Sequence, residues 1–427
     1  MDSEQAVTLG EALKAGFLVL LPPVLLISYG LSGSDSPLLI FAGCQASVIA
    51  LAATIAVLNS KTTKISEIQA SGFFLFLVLG FATLLALFRF PELGRVPMAT
   101  PYLSFLLWAS PLVTAPILLR SARDVDVAFF FLDLVGALIV ITVMLPALGF
   151  NFGEVQQSES SGLRRVFGPL GDSVALLVSF FLVDSFSRRL WVRMLIYASA
   201  LMLTVGLGAM MVSSVGILVV WIFQSRTRRN EGVRRRRVTA PVVIGVVLMI
   251  GALLSLLVQQ LIRRLSSAEA LGLTITNRLA SFRAAWNVFI DNPIVGVGYT
   301  GLKAVSFRYE PENLFEVFST HFVATAQNQW LQTAADAGLL GVFSLLTFLI
   351  VTLRSSRRLS LSGLPGAVRH RGYFGWAFGM AVGNQSGVWL VPNSLVPFIF
   401  MLGAGLVAAS QLSLAAEAPL GGGGKVA

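Results

Sequence analysis

The residues best suited to chemistry lie in the polar interval from about Arg263 to Asp336, the longest interruption in an otherwise hydrophobic chain. Four arginines there or nearby suit an anionic ligand: Arg278 and Arg283 in this interval, and Arg164 and Arg165 in an earlier one. Guanidinium groups bind phosphate oxygens in a two-pronged fashion and stay charged at any physiological pH. Arg308 adds a further cation, with Glu310, Glu312, Glu316 and lipid phosphates as the competing, purely structural partners. His321 is the only histidine of this interval and is the natural general base near neutral pH; the other histidine, His370, sits in a basic loop. Gln327 and Asn328 offer amide groups at the head of a helix, where they either cap it or bind sugar hydroxyls. Paired metal ligands, a nucleotide-binding loop and a nucleophile motif are not found, and no cofactor or metal is expected.

The elements that must hold these residues are membrane spans. A 427-residue chain that is 56% hydrophobic and 12% charged is not a soluble globular protein. Its apolar blocks have the length that crosses a hydrocarbon core as a helix. They define an all-α polytopic membrane protein with about twelve spans: 13–32, 37–59, 70–89, 101–119, 127–147, 169–186, 190–208, 211–224, 240–261, 337–353, 372–390 and 395–413. The division within 190–224 is the weakest, and Gly206, Gly208 and Ser213-Ser214 mark the expected turn. Acidic residues rather than a basic leader open the chain, so the first span is expected to be retained. The single cysteine, Cys44, excludes an intrachain disulfide.

Net charge +10 would point to nucleic acid in a soluble protein, but here it serves topology. With the N-terminus inside, 21 of the 31 basic residues fall on the inner side, which puts both termini and the Arg226–Arg237 run in the cytoplasm. No nucleic-acid partner is expected, and that run is read as a lipid-headgroup anchor. The chain then divides into a membrane domain at 1–261 with a short periplasmic loop at 148–168, a large periplasmic loop at 262–336, C-terminal spans at 337–413 and a flexible tail at 414–427. Within the large loop, Leu279, Phe282, Ala285, Trp286 and Phe289 recur at helical spacing. A second amphipathic helix is expected over Leu314–Phe322, and a third from about Thr325 running into the next span. Such helices are expected to lie on the membrane surface over a cavity between spans.

Asp133 and Asp184 lie within or at the end of spans, with no basic partner evident deep in the spans, and intramembrane acids can mark an ion path. Asn384-Gln385 would line a polar cavity or bond neighbouring helices.

The large loop resembles the O-antigen ligase and polymerase superfamily of membrane glycosyltransferases. The resemblance rests on Arg278 with Trp286, on Asp291-Asn292-Pro293-Ile294-Val295-Gly296-Val297-Gly298-Tyr299, and on Gln327-Asn328 followed by Gly338-Leu339-Leu340-Gly341. Arg164-Arg165-Val166-Phe167-Gly168 resembles a second, weaker block. The resemblance implies a fold of the membrane glycosyltransferase C type and metal-independent transfer from an undecaprenyl-diphosphate-linked oligosaccharide. It implies that Arg278 and one of Arg164 or Arg165 grip the diphosphate, with Arg283 beside them, and that Asn328 and Trp286 contact sugar. Expected partners are membrane lipids, a flippase and a chain-length regulator, in the bacterial inner membrane.

Two features depart from the family pattern. Gln327 stands where ligases carry histidine, so His321 or another group must take the proton. The turn over Gly206–Gly216 holds Ser213 and Ser214 but lacks the arginine of the family's Ser-Arg pair. These departures favour a polysaccharide polymerase over a ligase acting on lipid A core or protein; a transporter of lipid-linked glycan is the alternative of a different class.

Overall fold

The computed structural model describes residues 9–32, 65–91, 95–150, 154–157, 164–168, 173–204, 206–230, 268–309, 325–362, 366–383 and 395–417, with Ile49, Ala52 and Leu390. Six helices among these are long and apolar enough to cross a membrane. The expected spans at 37–59, apart from Ile49 and Ala52, and at 240–261 lie outside the described residues.

In chain order the helices are α1 (Leu9–Ala15), continuing through a π-helical turn into α2 (Leu21–Ser32), then α3 (Glu67–Arg89), α4 (Arg95–Ala109), α5 (Pro111–Leu118) and α6 (Ala122–Ala147). After two short strands come α7 (Val174–Arg188), α8 (Trp191–Thr204), α9 (Leu207–Asn230), α10 (Ala268–Asp291), α11 (Gly301–Val305), α12 (Gln329–Ser360), α13 (Ala367–Gly383) and α14 (Leu395–Glu417). Local sequence sets several starts. Ser66 with Gln69, and Ser121 with Asp124, form reciprocal capping boxes that satisfy the first free N–H groups of α3 and α6.

The described spans are helical as expected, and the 148–168 loop carries a short hairpin. Within the 148–168 interval, β1 (Glu154–Gln157) pairs antiparallel with β2 (Arg164–Gly168), in the register Val155 to Val166 and Gln157 to Arg164. β2 runs beside α6 and α8. The turn after α8 lies earlier than expected. It passes through Gly206, whereas Gly208, Ser213 and Ser214 belong to α9, where both serine hydroxyls donate to carbonyls one turn back.

α14 is the hub, buried along most of its length and packed on α4, α5, α6 and α12. Beside it, α9 and α13 approach through glycines. A Cβ on Gly375 would sit 2.8 Å from the Gly216 carbonyl oxygen, and one on Gly379 would sit 2.4 Å from that of Val212. Small residues are what allow two helix backbones to come this close where lipid supplies no hydrophobic drive. Trp376 closes the same interior, donating from Nε1 to Ser179 Oγ at 3.0 Å.

Asp133 and Asp184 acquire the partner that the sequence pattern did not reveal. Arg188, at the end of α7, donates to both Asp133 carboxylate oxygens at 2.7 and 3.1 Å and to Asp184 at 3.1 Å. Arg193 of α8 approaches Asp133 to 3.1 Å and Arg369 of α13 to 4.0 Å. The network therefore ties four helices together, correcting the view of two acids without a basic partner. Replacing Arg188 by Ala strands the buried Asp184 and leaves Asp133 with Arg193 and Arg369 alone, so a loss of about 3 kcal/mol is expected. Thermal unfolding of the purified variant in detergent checks this, and Arg188→Lys should recover only part because it lacks the two-pronged donor.

Candidate active site

The Asp291–Tyr299 and Gly338–Gly341 segments fold against each other, backbone to backbone. An uninterrupted α12 would bond Leu339 N–H to the Ala335 carbonyl and Leu340 N–H to that of Asp336. At Gly338 the helix breaks, with φ +63° and ψ −159°, and both bonds are replaced. The Ala335 and Asp336 carbonyls accept from Val297 N–H at 3.1 Å and Gly298 N–H at 2.8 Å. The Leu339 and Leu340 N–H groups donate to the Pro293 and Ile294 carbonyls at 2.8 and 3.3 Å. Two helical hydrogen bonds thus become four, and the loop fills the break instead of water.

This exchange requires glycine. A Cβ on Gly296 would lie 2.3 Å from the Asp336 carbonyl carbon, and one on Gly338 would lie 2.3 Å from the Ile294 carbonyl group. Both have positive φ, which side-chain-bearing residues rarely adopt.

A row of buried polar side chains on the first turns of α12 braces the junction. Gln329, Gln332, Thr333 and Asp336 follow i, i+3, i+4, i+7 spacing and so share one helix face. Asp336 accepts from Thr300 N–H at 3.0 Å, Leu302 N–H at 3.2 Å and Gln332 Nε2 at 2.9 Å, fixing the start of α11. Gln332 accepts from Ala326 N–H at 2.7 Å. Gln329 donates to Thr333 and accepts from Leu390 N–H, joining the loop to the chain after α13. Sequence reasoning missed this row, taking Asp336 only as a loop boundary, although the polar spacing ahead of an apolar span was a legible signal.

Tyr299 completes the brace. Its N–H donates to Thr83 Oγ1 at 3.0 Å, its hydroxyl donates to the Leu390 carbonyl at 2.7 Å, and its ring packs on Phe105. Burial, with the Asp336 carboxylate nearby, pushes the hydroxyl well above its usual range, so it remains a neutral donor. Thr300, Gln329 and Asp336, with Leu75 and Leu79, line a cavity of about 30 Å³. That is room for about one water. The hydrogen bonds of the polar row brace the junction.

Of the sequence-selected residues, Gln327 and Asn328 adjoin this junction. Asn328 is the N-cap of α12 and its side-chain oxygen accepts from Leu331 N–H at 3.0 Å, so it takes the capping role of the two considered. Gln327, just before it, is partly exposed with φ +51°, a left-handed conformation that costs a residue with a side chain about 1 kcal/mol. Arg278 is half-buried on α10 and Arg283 is exposed. Five residues apart, they point about 140° away from each other around the helix. They therefore do not form one guanidinium cluster on a single face.

The apolar stripe of α10 also needs correcting. Its buried face is Ala280, Ser281, Ala284, Ala285 and Val288, whereas Leu279 and Trp286 are exposed. Arg164 and Arg165 occupy adjacent positions of β2. Arg308 lies 5.3 Å over the Phe90 ring, a cation–π contact at the end of α3. His321, the expected helix over Leu314–Phe322, and Asn384-Gln385 fall outside the described residues.

Comparison with known proteins finds a similarity over part of the chain. No curated protein matches the chain. Residues 192–346 match the family model described as O-antigen ligase, a stretch running from the start of α8 to the middle of α12 and including the Gly296–Gly338 junction. Over that stretch the chain is similar to the O-antigen ligase family, which supports a likeness to the O-antigen ligase and polymerase superfamily.

Proposed function

We propose that the protein is an inner-membrane polymerase that joins lipid-linked repeat units of an O-antigen, capsule or exopolysaccharide. Glycan transfer is supported by the family match over a loop held to its span by a four-bond backbone exchange, and the choice of polymerase over ligase rests on Gln327 standing where ligases carry histidine. A loop fixed this firmly can present charged side chains with little reorganisation, which is what transition-state stabilisation requires.

In the proposed reaction, a hydroxyl of one lipid-linked unit attacks the anomeric carbon of a second glycan. The bond from that carbon to the diphosphate oxygen breaks, and undecaprenyl diphosphate leaves with the electron pair. Arg278, with Arg164 or Arg165, stabilises the charge growing on that diphosphate without a metal. The acceptor proton passes to His321, because the neutral amide of Gln327 cannot take it. Asn328, fixed by its capping bond, is the proposed sugar contact, whereas Trp286 faces outward with Leu279 and Ile290 and is not assigned one. Both termini are placed in the cytoplasm and the loop in the periplasm, where a flippase delivers the units and a chain-length regulator acts on the product.

The ion pairs of Asp133 and Asp184 with Arg188 give these acids a structural role, which lessens the support for an ion path. Replacing His321 by Ala should lower polymer formation about 100-fold or more if it is the base. Wild-type product from that variant would remove it from the mechanism. The reading as a whole is tested by the glycan of a strain lacking the gene. Single repeat units stalled on undecaprenyl diphosphate are expected. Long chains stranded on that lipid would mean a ligase, and donor held on the cytoplasmic face would mean a transporter.

A further inference from the structure

The outward face of α10 combines features that neither water nor protein packing accounts for. Leu279, Trp286 and Ile290 lie on one side of the helix and are 48%, 53% and 54% exposed. Ile294, just past the helix, is 64% exposed. The opposite face is committed, since Ala284, Ala285 and Val288 are fully buried and the helix cannot roll to hide its large residues.

Arg283 stands among these apolar side chains, four residues after Leu279, three before Trp286 and seven before Ile290. Hydrocarbon around the whole helix would strand the guanidinium, and water around it would leave the large apolar groups wet. An interface between the two satisfies both, because the arginine stem lies along apolar surface while its head reaches a polar layer.

The neighbouring surface identifies that interface. The Pro293 and Ile294 carbonyls bond directly to the Leu339 and Leu340 N–H groups, so the exposed end of α10 runs into the outside of α12. There Leu339, Phe343 and Ile350 are exposed on a helix long and apolar enough to span a bilayer. Phe343 makes an edge contact with Phe74 of α3, another such helix. One apolar surface therefore continues from the spans onto α10.

We propose that the bilayer leaflet on the side of this loop covers the outward face of α10, with Trp286 and Ile290 among the acyl chains and Arg283 bound to a phospholipid phosphate. Arg283 is then a lipid anchor rather than a second arginine of the substrate site, and α10 lies along the membrane plane. This stands whether or not the glycan-transfer reading does, since it needs no substrate.

The test uses the full chain in phosphatidylcholine nanodiscs without polyprenyl lipid. Nitroxide labels are placed by Trp286→Cys or Ile290→Cys in a Cys44→Ser background. Both labels are expected to be relaxed by oxygen and shielded from a water-soluble nickel chelate. Arg283→Leu should move the label at 286 deeper, and Arg283→Lys should leave it in place. Free access of the nickel chelate would overturn the proposal by showing a face open to water. Shielding from both reagents would overturn it in favour of a covering protein or a second copy of the chain. An unchanged depth in Arg283→Leu would overturn the phosphate anchor. Seating that needs added polyprenyl diphosphate would transfer Arg283 back to the carrier lipid.

Discussion

Replacing Gly338 by Ala is expected to abolish the folded protein, or to leave it so destabilised that it is lost on extraction. Its φ of +63° with ψ of −159° is backbone that residues with a Cβ essentially do not adopt. A Cβ there would also lie 2.3 Å from the Ile294 carbonyl carbon and oxygen, and backbone on both sides cannot give way. Forcing the two apart would break hydrogen bonds that no other buried group replaces. The combined cost should exceed about 4 kcal/mol, in the range reserved for strain with lost buried bonds. Gly149 is the control: its φ is +92° but an added Cβ meets nothing within 4 Å, so Ala there should cost only about 1 kcal/mol. Size-exclusion profiles and thermal unfolding in detergent compare the two. Equal stability of Gly338→Ala and Gly149→Ala would show that the backbone exchange does not hold the loop. Gly296 meets the same junction from the other side, so the costs of Gly296→Ala and Gly338→Ala should not add.

The second large effect is chemical. If Arg278 stabilises the departing diphosphate, Arg278→Ala should lower transfer by about 100-fold or more. Arg278→Lys keeps a positive charge but not the flat two-pronged donor, so it should recover only part of the rate. Arg278 is half-buried at the edge of the packed face of α10, in line with Ala285, so its removal can also touch packing. Polymer length in a complemented strain, read beside the amount of folded protein, separates lost chemistry from lost structure. Near-normal polymer from Arg278→Ala would remove it from the site.

Much of the helical scaffold was legible because crossing a bilayer demands long apolar blocks, and α3, α6, α12 and α14 each contain one. The helix stop at Asp291 was equally legible, since proline two residues later cannot continue a helix. The reason the Asp291–Tyr299 and Gly338–Gly341 blocks belong together was not. It resides in backbone bonds between segments about forty residues apart, which no side-chain pattern records. Asp336 and Arg188 were opaque for a related cause, because their partners lie 36 and 55 positions away. The stripe on α10 misled for another reason. Apolar periodicity identifies a core face only when the far side is water, and here Ala280 and Ala284 face inward while Leu279 and Trp286 face out.

The most direct test of glycan transfer puts the purified protein in proteoliposomes with an undecaprenyl-diphosphate-linked repeat unit as sole glycan. The expected result is lipid-linked dimers and longer chains, with one undecaprenyl diphosphate released per bond formed and none with Arg278→Ala. Intact donor after incubation with folded wild-type protein, with or without an added terminal acceptor, would contradict it.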